Sequence, residues 1–294
     1  MIKIVEVGPR DGLQNEPTPI STNDKLKFIQ LLAESGLADI EVTSFVHPRW
    51  VPQLADSGQL FGLLEPRPNL VYSCLVPNRK GLERALEVGA TRIAVFTAAS
   101  ETFSQQNTNR SIADSLIELE QVTGHARSAG LSVRGYVSTA FVCPYEGEIE
   151  ASRVRQVSQA LLDMGVDEVS IGDTIGAAVP RDIDKTVGHL LESIPAAKLA
   201  LHLHDTYGTA LANVQAGLRL GIGCFDSSAG GLGGCPYAPG AAGNLATEDL
   251  LYFLTRSGYE HGVDLEKIVQ ASRFIAGVLG KDLPSRQFQR LARA

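Results

Sequence analysis

Short runs of β-branched and apolar residues alternate along the chain with longer segments whose apolar residues recur at helical spacing. The short runs predict eight strands: Ile2–Val7, Asp39–Thr43, Leu70–Leu75, Arg92–Phe96, Ser132–Ser138, Glu168–Ile171, Leu199–His204 and Cys224–Ser227. The longer segments predict helices that include Asp24–Ser35, Gly81–Val88, Ile112–Ala129, Arg153–Met164, Ile183–Ser193 and Ala210–Leu220. Strands that alternate with helices in this way indicate β-α units and a parallel sheet.

The number of β-α units favours a closed α/β barrel. Eight units in 294 residues fit a (β/α)8 TIM barrel, which typically needs about 250 residues. The alternative is an open doubly wound sheet, which expects a GxGxxG phosphate-binding turn after the first strand. Here the first strand runs into Gly8-Pro9-Arg10-Asp11-Gly12 instead. No linker or shift of composition divides the chain, so we expect one domain over 1–294, with the barrel to about residue 285 and a C-terminal helical extension within it.

Glycine follows the end of many predicted helices, where a left-handed residue closes the last turn at least cost. The residues concerned are Gly36, Gly89, Gly130, Gly165 and Gly221. These glycines therefore support the predicted boundaries between helices and strands.

Composition excludes several classes of protein. Hydrophobic residues make up 44% and charged residues 20%, an ordinary globular balance. The net charge is −7 and the basic residues are scattered, which argues against nucleic acid as a partner. The four cysteines form no CxxC pair, which excludes a zinc ribbon. No signal pattern and no long apolar stretch is found, so we expect a cytoplasmic enzyme that does not enter a membrane.

The sharpest chemical feature is the pair His202 and His204 at the end of the seventh predicted strand. A barrel carries its active site at this end of its strands, and alternate residues of a strand share one face. Asp11 follows the first strand and Asn244 follows the eighth, which are neighbours in a closed barrel. Two imidazoles, a carboxylate and an amide oxygen are a suitable donor set for a divalent metal. The alternative interpretation is a pair of hydrogen-bonded core histidines.

Arg10 and Glu41 end the first two strands beside this predicted metal site. A guanidinium is permanently charged and can stabilise a developing oxyanion, although an ion pair in a turn is the simpler interpretation. Glu41 is expected to anchor Arg10 or a catalytic water, or to lie half-buried beside Arg10.

Cys235 lies in a glycine-rich loop after the eighth strand, and such a loop can fold closely over a ligand. We expect its thiol to serve as proton donor or nucleophile; the alternative is a small apolar filler. A phosphate-binding loop would need a P-loop lysine or the GxGxxG order, and both are missing. No lysine falls at the C-terminal end of a strand, where a Schiff-base aldolase needs one. A carbanion formed here would therefore be stabilised by the metal and Arg10.

Together these residues resemble the DRE-TIM metallolyase superfamily, through Arg10-Asp11, Glu41 and His202-x-His204. Within that superfamily, segment 228–238, Ser-Ala-Gly-Gly-Leu-Gly-Gly-Cys-Pro-Tyr-Ala, is similar to the signature of 3-hydroxy-3-methylglutaryl-CoA lyases. Segments 7–16 and 170–176 carry the same resemblance, which extends from residue 2 to about residue 285. Gly231 departs from many family members, and no cysteine follows Cys235.

The resemblance implies cleavage of 3-hydroxy-3-methylglutaryl-CoA to acetyl-CoA and acetoacetate, as in leucine degradation. It implies an acyl-CoA substrate, a homodimer, and Mg²⁺ or Mn²⁺ held by Asp11, His202, His204 and Asn244. The implied catalytic residues are Arg10, Asp11, Glu41, His202 and Cys235. The implied substrate-binding residues are Arg10, Gln14, Ser44, Arg134, Tyr136, Asp173 and Thr174.

Three other functions compete with this one. Metal-dependent Claisen-condensing synthases share the barrel, the Arg-Asp pair and the HxH motif, but they lack the Gly-Gly-Cys-Pro-Tyr loop and usually carry a further C-terminal region. A lyase for a longer branched hydroxyglutaryl-CoA would use the same residues. A non-catalytic barrel would not need the metal set and the cysteine loop together.

Overall fold

In the computed structural model, the described residues are 1–235 and 238–292, with side chains for 1–234 and 243–292. Eight parallel strands form a closed barrel. They are β1 (Lys3–Glu6), β2 (Asp39–Ser44), β3 (Val71–Leu75), β4 (Arg92–Ala98), β5 (Ser132–Ser138), β6 (Glu168–Asp173), β7 (Leu199–Leu203) and β8 (Cys224–Ser227). Each strand pairs with its neighbours in the chain, and β8 pairs with β1. The predicted TIM barrel is therefore confirmed.

Helices connect the strands and cover the outside of the barrel. They are α1 (Thr22–Ala33), α2 (Ser57–Gly62), α3 (Arg79–Glu87), α4 (Glu101–Thr108), α5 (Ile112–Ser128), α6 (Ala151–Asp163), α7 (Pro180–Leu191), α8 (Ala210–Arg219), α9 (Thr247–Arg256), α10 (Leu265–Leu279) and α11 (Arg286–Ala292). Helix α10 packs against α1, so the C-terminal helices lie against the start of the barrel. No helix in the described part of the chain is long and apolar enough to cross a bilayer.

Two strands extend further than their apolar runs predict. The sequence favours an end of β4 at Phe96 and of β6 at Ile171 because polar or glycine residues follow. In the structure the ladder continues until Ala98 pairs with Ser138 and Asp173 pairs with Leu203. The extra residues carry polar groups to the C-terminal end of the barrel, where apolar periodicity gives no signal.

All five glycines that were expected to end helices have positive φ, between 76° and 99°. Hydrogen-bonding side chains also mark helix starts. Ser21 and Ser111 accept hydrogen bonds from Asp24 N and Asp114 N, which satisfies one otherwise unpaired amide in each first turn. Local sequence therefore defines many ends of the elements outside the barrel.

Charged side chains fill the N-terminal end of the barrel, where branched aliphatic residues usually dominate a TIM barrel. Lys3 Nζ lies 3.1 Å from Asp39 Oδ2, and an Arg92 nitrogen lies 3.0 Å from the same oxygen. Glu168 lies next to both cations and pairs with Arg134 Nε at 2.8 Å. Because each buried charge has an opposite partner, the network avoids the large cost of an unpaired ion.

Candidate active site

A large cavity opens at the C-terminal ends of the strands. Its volume is about 1010 Å³, and Arg10, Asp11, Tyr136, His202 and His204 contribute to its wall. This is the end of a TIM barrel at which enzymes of this fold carry their active sites. Three of the residues predicted to be catalytic, Arg10, Asp11 and His202, therefore line the same cavity.

A single wide turn at Gly8–Gly12 presents Arg10 and Asp11 to the cavity. The amides of Arg10, Asp11 and Gly12 all donate to the carbonyl oxygen of Val7, at 3.2, 2.7 and 3.2 Å. The Arg10 guanidinium donates from Nε to Glu41 and from NH1 to Asp11. Its side chain is 8% exposed, so the two carboxylates fix a nearly buried cation.

His202 and His204 project from the end of β7 with their Nε2 atoms 3.2 Å apart. Asp11 Oδ2 lies 3.9 Å from His202 Nε2. The carboxylate and both imidazoles offer ligand atoms that all lie within 4.8 Å of one another. The i, i+2 spacing on a strand has therefore brought both rings to one face, as the sequence predicted.

Asn244 reaches this group because residues 243–245 return alongside β7. Asp205 N donates to the carbonyl of Gly243 at 2.7 Å, and Leu245 N donates to that of Leu203 at 2.9 Å. The Asn244 amide donates from Nδ2 to Asp11 Oδ2 at 2.9 Å and to the carbonyl of Leu232 at 3.1 Å. All four predicted metal ligands therefore belong to one cluster.

Glycine is required opposite Asn244. Gly233 has a φ of +120°, and a Cβ built there would lie 2.5 Å from Asn244 Nδ2. A larger residue would be strained and would displace the amide. The glycine-rich segment thus allows its backbone to pack directly against a predicted ligand.

The charges of the cluster favour a cation. Burial would raise the pKa of Asp11, but Arg10, His202 and His204 lower it to about 2. Burial together with His202 lowers the pKa of His204 to about 4. Near neutral pH Asp11 is therefore a carboxylate and His204 is neutral, which are the states that bind a metal.

The donor set fits a divalent ion. The Nε2 atoms of His202 and His204 lie 3.2 Å apart, so one ion can bind both nitrogens. When each nitrogen presents a lone pair to the other, neither donates a proton, and a cation between them satisfies both. A carboxylate and two histidines suit several divalent first-row metals, so this set alone does not select one.

The residues predicted to bind substrate divide into two groups. Arg10, Gln14, Tyr136 and Thr174 line the cavity. The side chains of Ser44, Arg134 and Asp173 instead contact protein groups: Val46 N for Ser44, Asp226 and Glu168 for Arg134, and Ala177 N and Ala178 N for Asp173. Their proposed contact with substrate stays a prediction.

Cys235 is predicted to be a proton donor, but its side chain lies outside the described part of the structure. Its backbone belongs to the short strand Gly234–Cys235, which pairs with the segment Ala238–Ala242. Gly234, the preceding residue, lines the cavity. The placement of the chain around Cys235 is thus at the cavity, while the role of the thiol stays a prediction.

Three buried acids near the site have no counterpart in the sequence predictions: Glu6, Asp226 and Glu248. Asp226 is a charged residue inside a short apolar strand, and this is a signal that the sequence contains. Glu6 ends β1 in the same way. Glu248 falls in the first turn of α9, where acidic residues are common, so nothing in the sequence distinguishes it.

Glu6 and Glu248 hold the turn that leads into the glycine-rich segment. Glu6 Oε1 accepts from Gly8 N at 2.8 Å and Ala229 N at 2.9 Å. The Glu248 carboxyl accepts from Gly230 N at 2.8 and 3.0 Å. These bonds tie the segments that follow β1 and β8, the first and last strands of the barrel, to each other at the C-terminal end of the strands.

Glu248 makes stability depend on pH. Burial raises its pKa from 4.5 to about 8, so the folded chain holds a proton there that the unfolded chain has lost. The contribution of Glu248 to the free energy of unfolding therefore decreases as pH rises from about 5 to about 8. Glutamine carries no titratable proton, so Glu248→Gln lacks this loss. We therefore expect the urea unfolding midpoint of Glu248→Gln, minus that of the parent, to increase as pH rises from about 5 to about 8.

The matched control is Glu83→Gln, which makes the same change at a 58% exposed side chain outside the buried cluster and is measured over the same pH range. A difference between Glu248→Gln and its parent that stays constant from pH 5 to 8 would contradict the assignment.

The barrel and its carboxylate–dihistidine cluster define the class: an α/β barrel with a candidate metal site at the C-terminal end of its strands. A family model described as HMGL-like matches residues 1–275. The cytoplasmic 3-hydroxy-3-methylglutaryl-CoA lyase of Rattus norvegicus is 50% identical over 98% of this chain and 84% of its own length. The chain belongs to the HMGL-like family.

Solved structures agree with this relationship. The HMG-CoA lyase of Bacillus subtilis superposes with a TM-score of 0.98 at 48% identity, covering 99% of this chain and 98% of that one. An HMG-CoA lyase of Acinetobacter baumannii, solved with coenzyme A and 3-methylmalate, has a TM-score of 0.93 at 36% identity and covers 100% of this chain and 95% of its own. The resemblance seen in the sequence motifs therefore extends over the whole barrel.

Proposed function

We propose that this protein cleaves 3-hydroxy-3-methylglutaryl-CoA to acetyl-CoA and acetoacetate in a reaction that depends on a divalent metal. The observation that carries the proposal is the cluster of Asp11, His202 and His204 in the cavity at the C-terminal ends of the strands, in a barrel nearly superposable on HMG-CoA lyases. In this reaction the C3 hydroxyl loses a proton, the C2–C3 bond breaks, and its electron pair forms the enolate of acetyl-CoA.

Asp11, His202 and His204, together with the amide oxygen of Asn244, would hold the metal. A divalent ion bound there supplies Lewis acidity, which lowers the pKa of a coordinated hydroxyl and polarises a carbonyl. The two histidines supply neutral nitrogens and Asp11 supplies the charge. The amide of Asn244 orients Asp11 through Nδ2.

Arg10 stabilises the enolate oxygen. Burial alone would lower the pKa of Arg10, but Glu41 and Asp11 raise it above its ordinary value, so the cation persists throughout the reaction. The guanidinium cannot swing away, because Glu41 and Asp11 hold two of its nitrogens. A cation fixed where negative charge develops contributes without reorganisation during the reaction.

The base that removes the hydroxyl proton could be Asp11, but the Asp11 carboxylate is less basic than a free carboxylate. Its pKa of about 2 makes it a weak acceptor of protons. Glu41 is fully buried and is bound by both Arg10 and the Tyr136 hydroxyl, which donates to it at 3.0 Å. We therefore assign Glu41 to holding Arg10, with Asp11 or a water as the base.

Cys235 protonates the enolate carbon in this proposal, which completes the proton balance of the reaction. We expect Cys235→Ala to lower kcat about 10²-fold, the lower range for loss of a general acid, with substrate affinity retained. Steady-state kinetics with a binding measurement check this. Cys74→Ala is the control, because Cys74 is buried within β3. Near-normal turnover in Cys235→Ala would remove the thiol from the mechanism.

Arg10, Gln14, Tyr136 and Thr174 are the substrate-binding residues that the cavity supports. We further propose Mg²⁺ or Mn²⁺ as the metal, a homodimer, a single domain and a role in leucine degradation, all on the resemblance of the sequence to its family. For the cytoplasmic location, the relative from Rattus norvegicus gives support, while mitochondrial relatives also match.

The deciding experiment is an assay of purified protein with Mg²⁺ and 3-hydroxy-3-methylglutaryl-CoA that scores acetoacetate. We expect release of acetoacetate that EDTA abolishes and that added Mg²⁺ or Mn²⁺ restores. A lack of release with a metal-loaded protein would overturn the substrate. Longer branched analogues, and then acetyl-CoA with 2-oxo acids, would test the competing lyase and synthase.

A further inference from the structure

We propose that Asp226 is a positioning residue that fixes the orientation and the tautomer of His202 for metal binding. The inference rests on the proposed metal site and assigns a function to a residue that the sequence motifs do not include. It concerns the second layer of contacts, beneath the ligands and inside the barrel.

The first observation is the contact between the two side chains. Asp226 projects from β8 into the barrel and is 1% exposed, and its Oδ2 lies 3.1 Å from His202 Nδ1. The Tyr136 ring packs against the imidazole in a T-shaped arrangement, with the ring centroids 5.9 Å apart. Asp226 and Tyr136 thus hold the His202 ring from two directions.

The second observation sets the position of the proton. Arg134 binds both oxygens of Asp226, with NH2 2.6 Å from Oδ1 and NH1 3.0 Å from Oδ2. A carboxylate engaged in this way only accepts hydrogen bonds. His202 must therefore carry its proton on Nδ1, and the lone pair of Nε2 then faces His204 and Asp11.

His204 differs from His202 in this respect. Its Nδ1 is buried and has no hydrogen-bond partner among the described residues. Within the described part of the chain, no acceptor therefore selects the tautomer of His204. Metal-binding histidines usually donate their second N–H to a carboxylate or carbonyl, which fixes the ring and increases its basicity. Among the side chains that the structure describes in this site, only His202 has such a carboxylate at its Nδ1.

Charge balance alone does not explain the contact with His202. The interior cations Lys3, Arg92 and Arg134 face the three carboxylates of Asp39, Glu168 and Asp226. The six charges already cancel without the imidazole. Asp226 Oδ2 nevertheless accepts from His202 as well as from Ser170 Oγ, at 2.9 Å.

The same scaffold reaches the other side of the site. Arg134 NH1 donates to the Tyr136 hydroxyl at 2.8 Å, and that hydroxyl donates to Glu41, which binds Arg10. One buried network therefore positions both a predicted metal ligand and the predicted enolate-binding cation.

The test compares two variants that each change one carboxylate on Arg134 to an amide. Asp226→Asn alters the carboxylate that contacts His202, whereas Glu168→Gln alters the one that binds Arg134 Nε and does not touch His202. Mn²⁺ affinity is measured on the metal-free proteins by titration calorimetry and electron paramagnetic resonance, without substrate. We expect Asp226→Asn to weaken Mn²⁺ binding about 10- to 100-fold and Glu168→Gln to leave it within about twofold.

Equal affinity of Asp226→Asn and the parent would overturn the proposal. An equal loss in both variants would also overturn it, because it would show a general effect of the interior network. A parent that binds Mn²⁺ but does not cleave the substrate would contradict the proposed function and leave the role of Asp226 standing.

A second measurement needs no variant of the network. With six histidines in the chain, long-range ¹H–¹⁵N spectra can resolve the ring nitrogens, and the loss of one set of signals in His202→Gln assigns them. In the metal-free parent we expect the proton of His202 on Nδ1. A proton on Nε2 would overturn the proposal even if Asp226→Asn does not fold.

Discussion

Arg10→Lys should lower kcat about 10³-fold although the positive charge is retained. The guanidinium donates to Glu41 and Asp11 from two different nitrogens at once. An ammonium is a point charge and cannot reproduce this fork, so it would bind one carboxylate and leave the other without its partner. Loss of one fixed donor to a developing oxyanion costs about 10² to 10³ in rate, and displacement of Asp11 from the metal cluster adds to that loss.

Arg79→Lys provides the matched control for this prediction. It makes the same chemical change in an exposed ion pair with Glu83 on α3 and should leave kcat unchanged. Steady-state kinetics are measured together with thermal unfolding, so that a loss of activity can be separated from a loss of folded protein. If Arg10→Lys keeps more than a tenth of the parent activity with a normal Tm, Arg10 does not stabilise the enolate.

His204→Ala should weaken metal binding more than about 100-fold and abolish turnover at low metal concentration. The substitution removes one of two imidazole nitrogens from the cluster, whereas loss of an outer-layer partner typically costs only about 10- to 100-fold. The structure also predicts what remains: Asp11 and His202 keep their positions, because Arg10 and Asp226 hold them. Residual, weak Mn²⁺ binding is therefore expected at high concentration.

His125→Ala is the control, since His125 is exposed on α5 and its Nδ1 bonds to the backbone carbonyl of Gln121 on the same helix. Metal content after dialysis and the titrated Mn²⁺ affinity give the result. Metal content that matches the parent in His204→Ala would remove His204 from the ligand set.

Much of the fold follows from short stretches of sequence. The alternation of apolar strands with helical segments is local, so it predicts eight strands and their order without any knowledge of contacts. The pairs Arg10-Asp11 and His202-x-His204 are local too, because turn geometry and the period of a strand place their side chains. The comparisons confirm the family and the lyase class that these motifs indicated.

Contacts across the barrel could not be predicted in the same way. Asn244 lies 233 residues from Asp11 in the chain, and Asp226 lies 92 residues from Arg134. Only closure of β8 on β1 brings such residues together. Arg134 is an example: the resemblance implied that it binds substrate, whereas in the structure its guanidinium pairs with Asp226 and Glu168 inside the barrel.

The sequence by itself determined the barrel, the strand ends that carry chemistry and the family, because each depends on the spacing of residues within one element. The tertiary structure decided which buried acids support the site. Glu6, Asp226 and Glu248 are buried, and each bonds to a residue on another part of the chain. These contacts determine their roles, because a buried polar group without a hydrogen bond is costly. That requirement acts between elements, so a local pattern can mark Asp226 and Glu6 as unusual but cannot identify their partners.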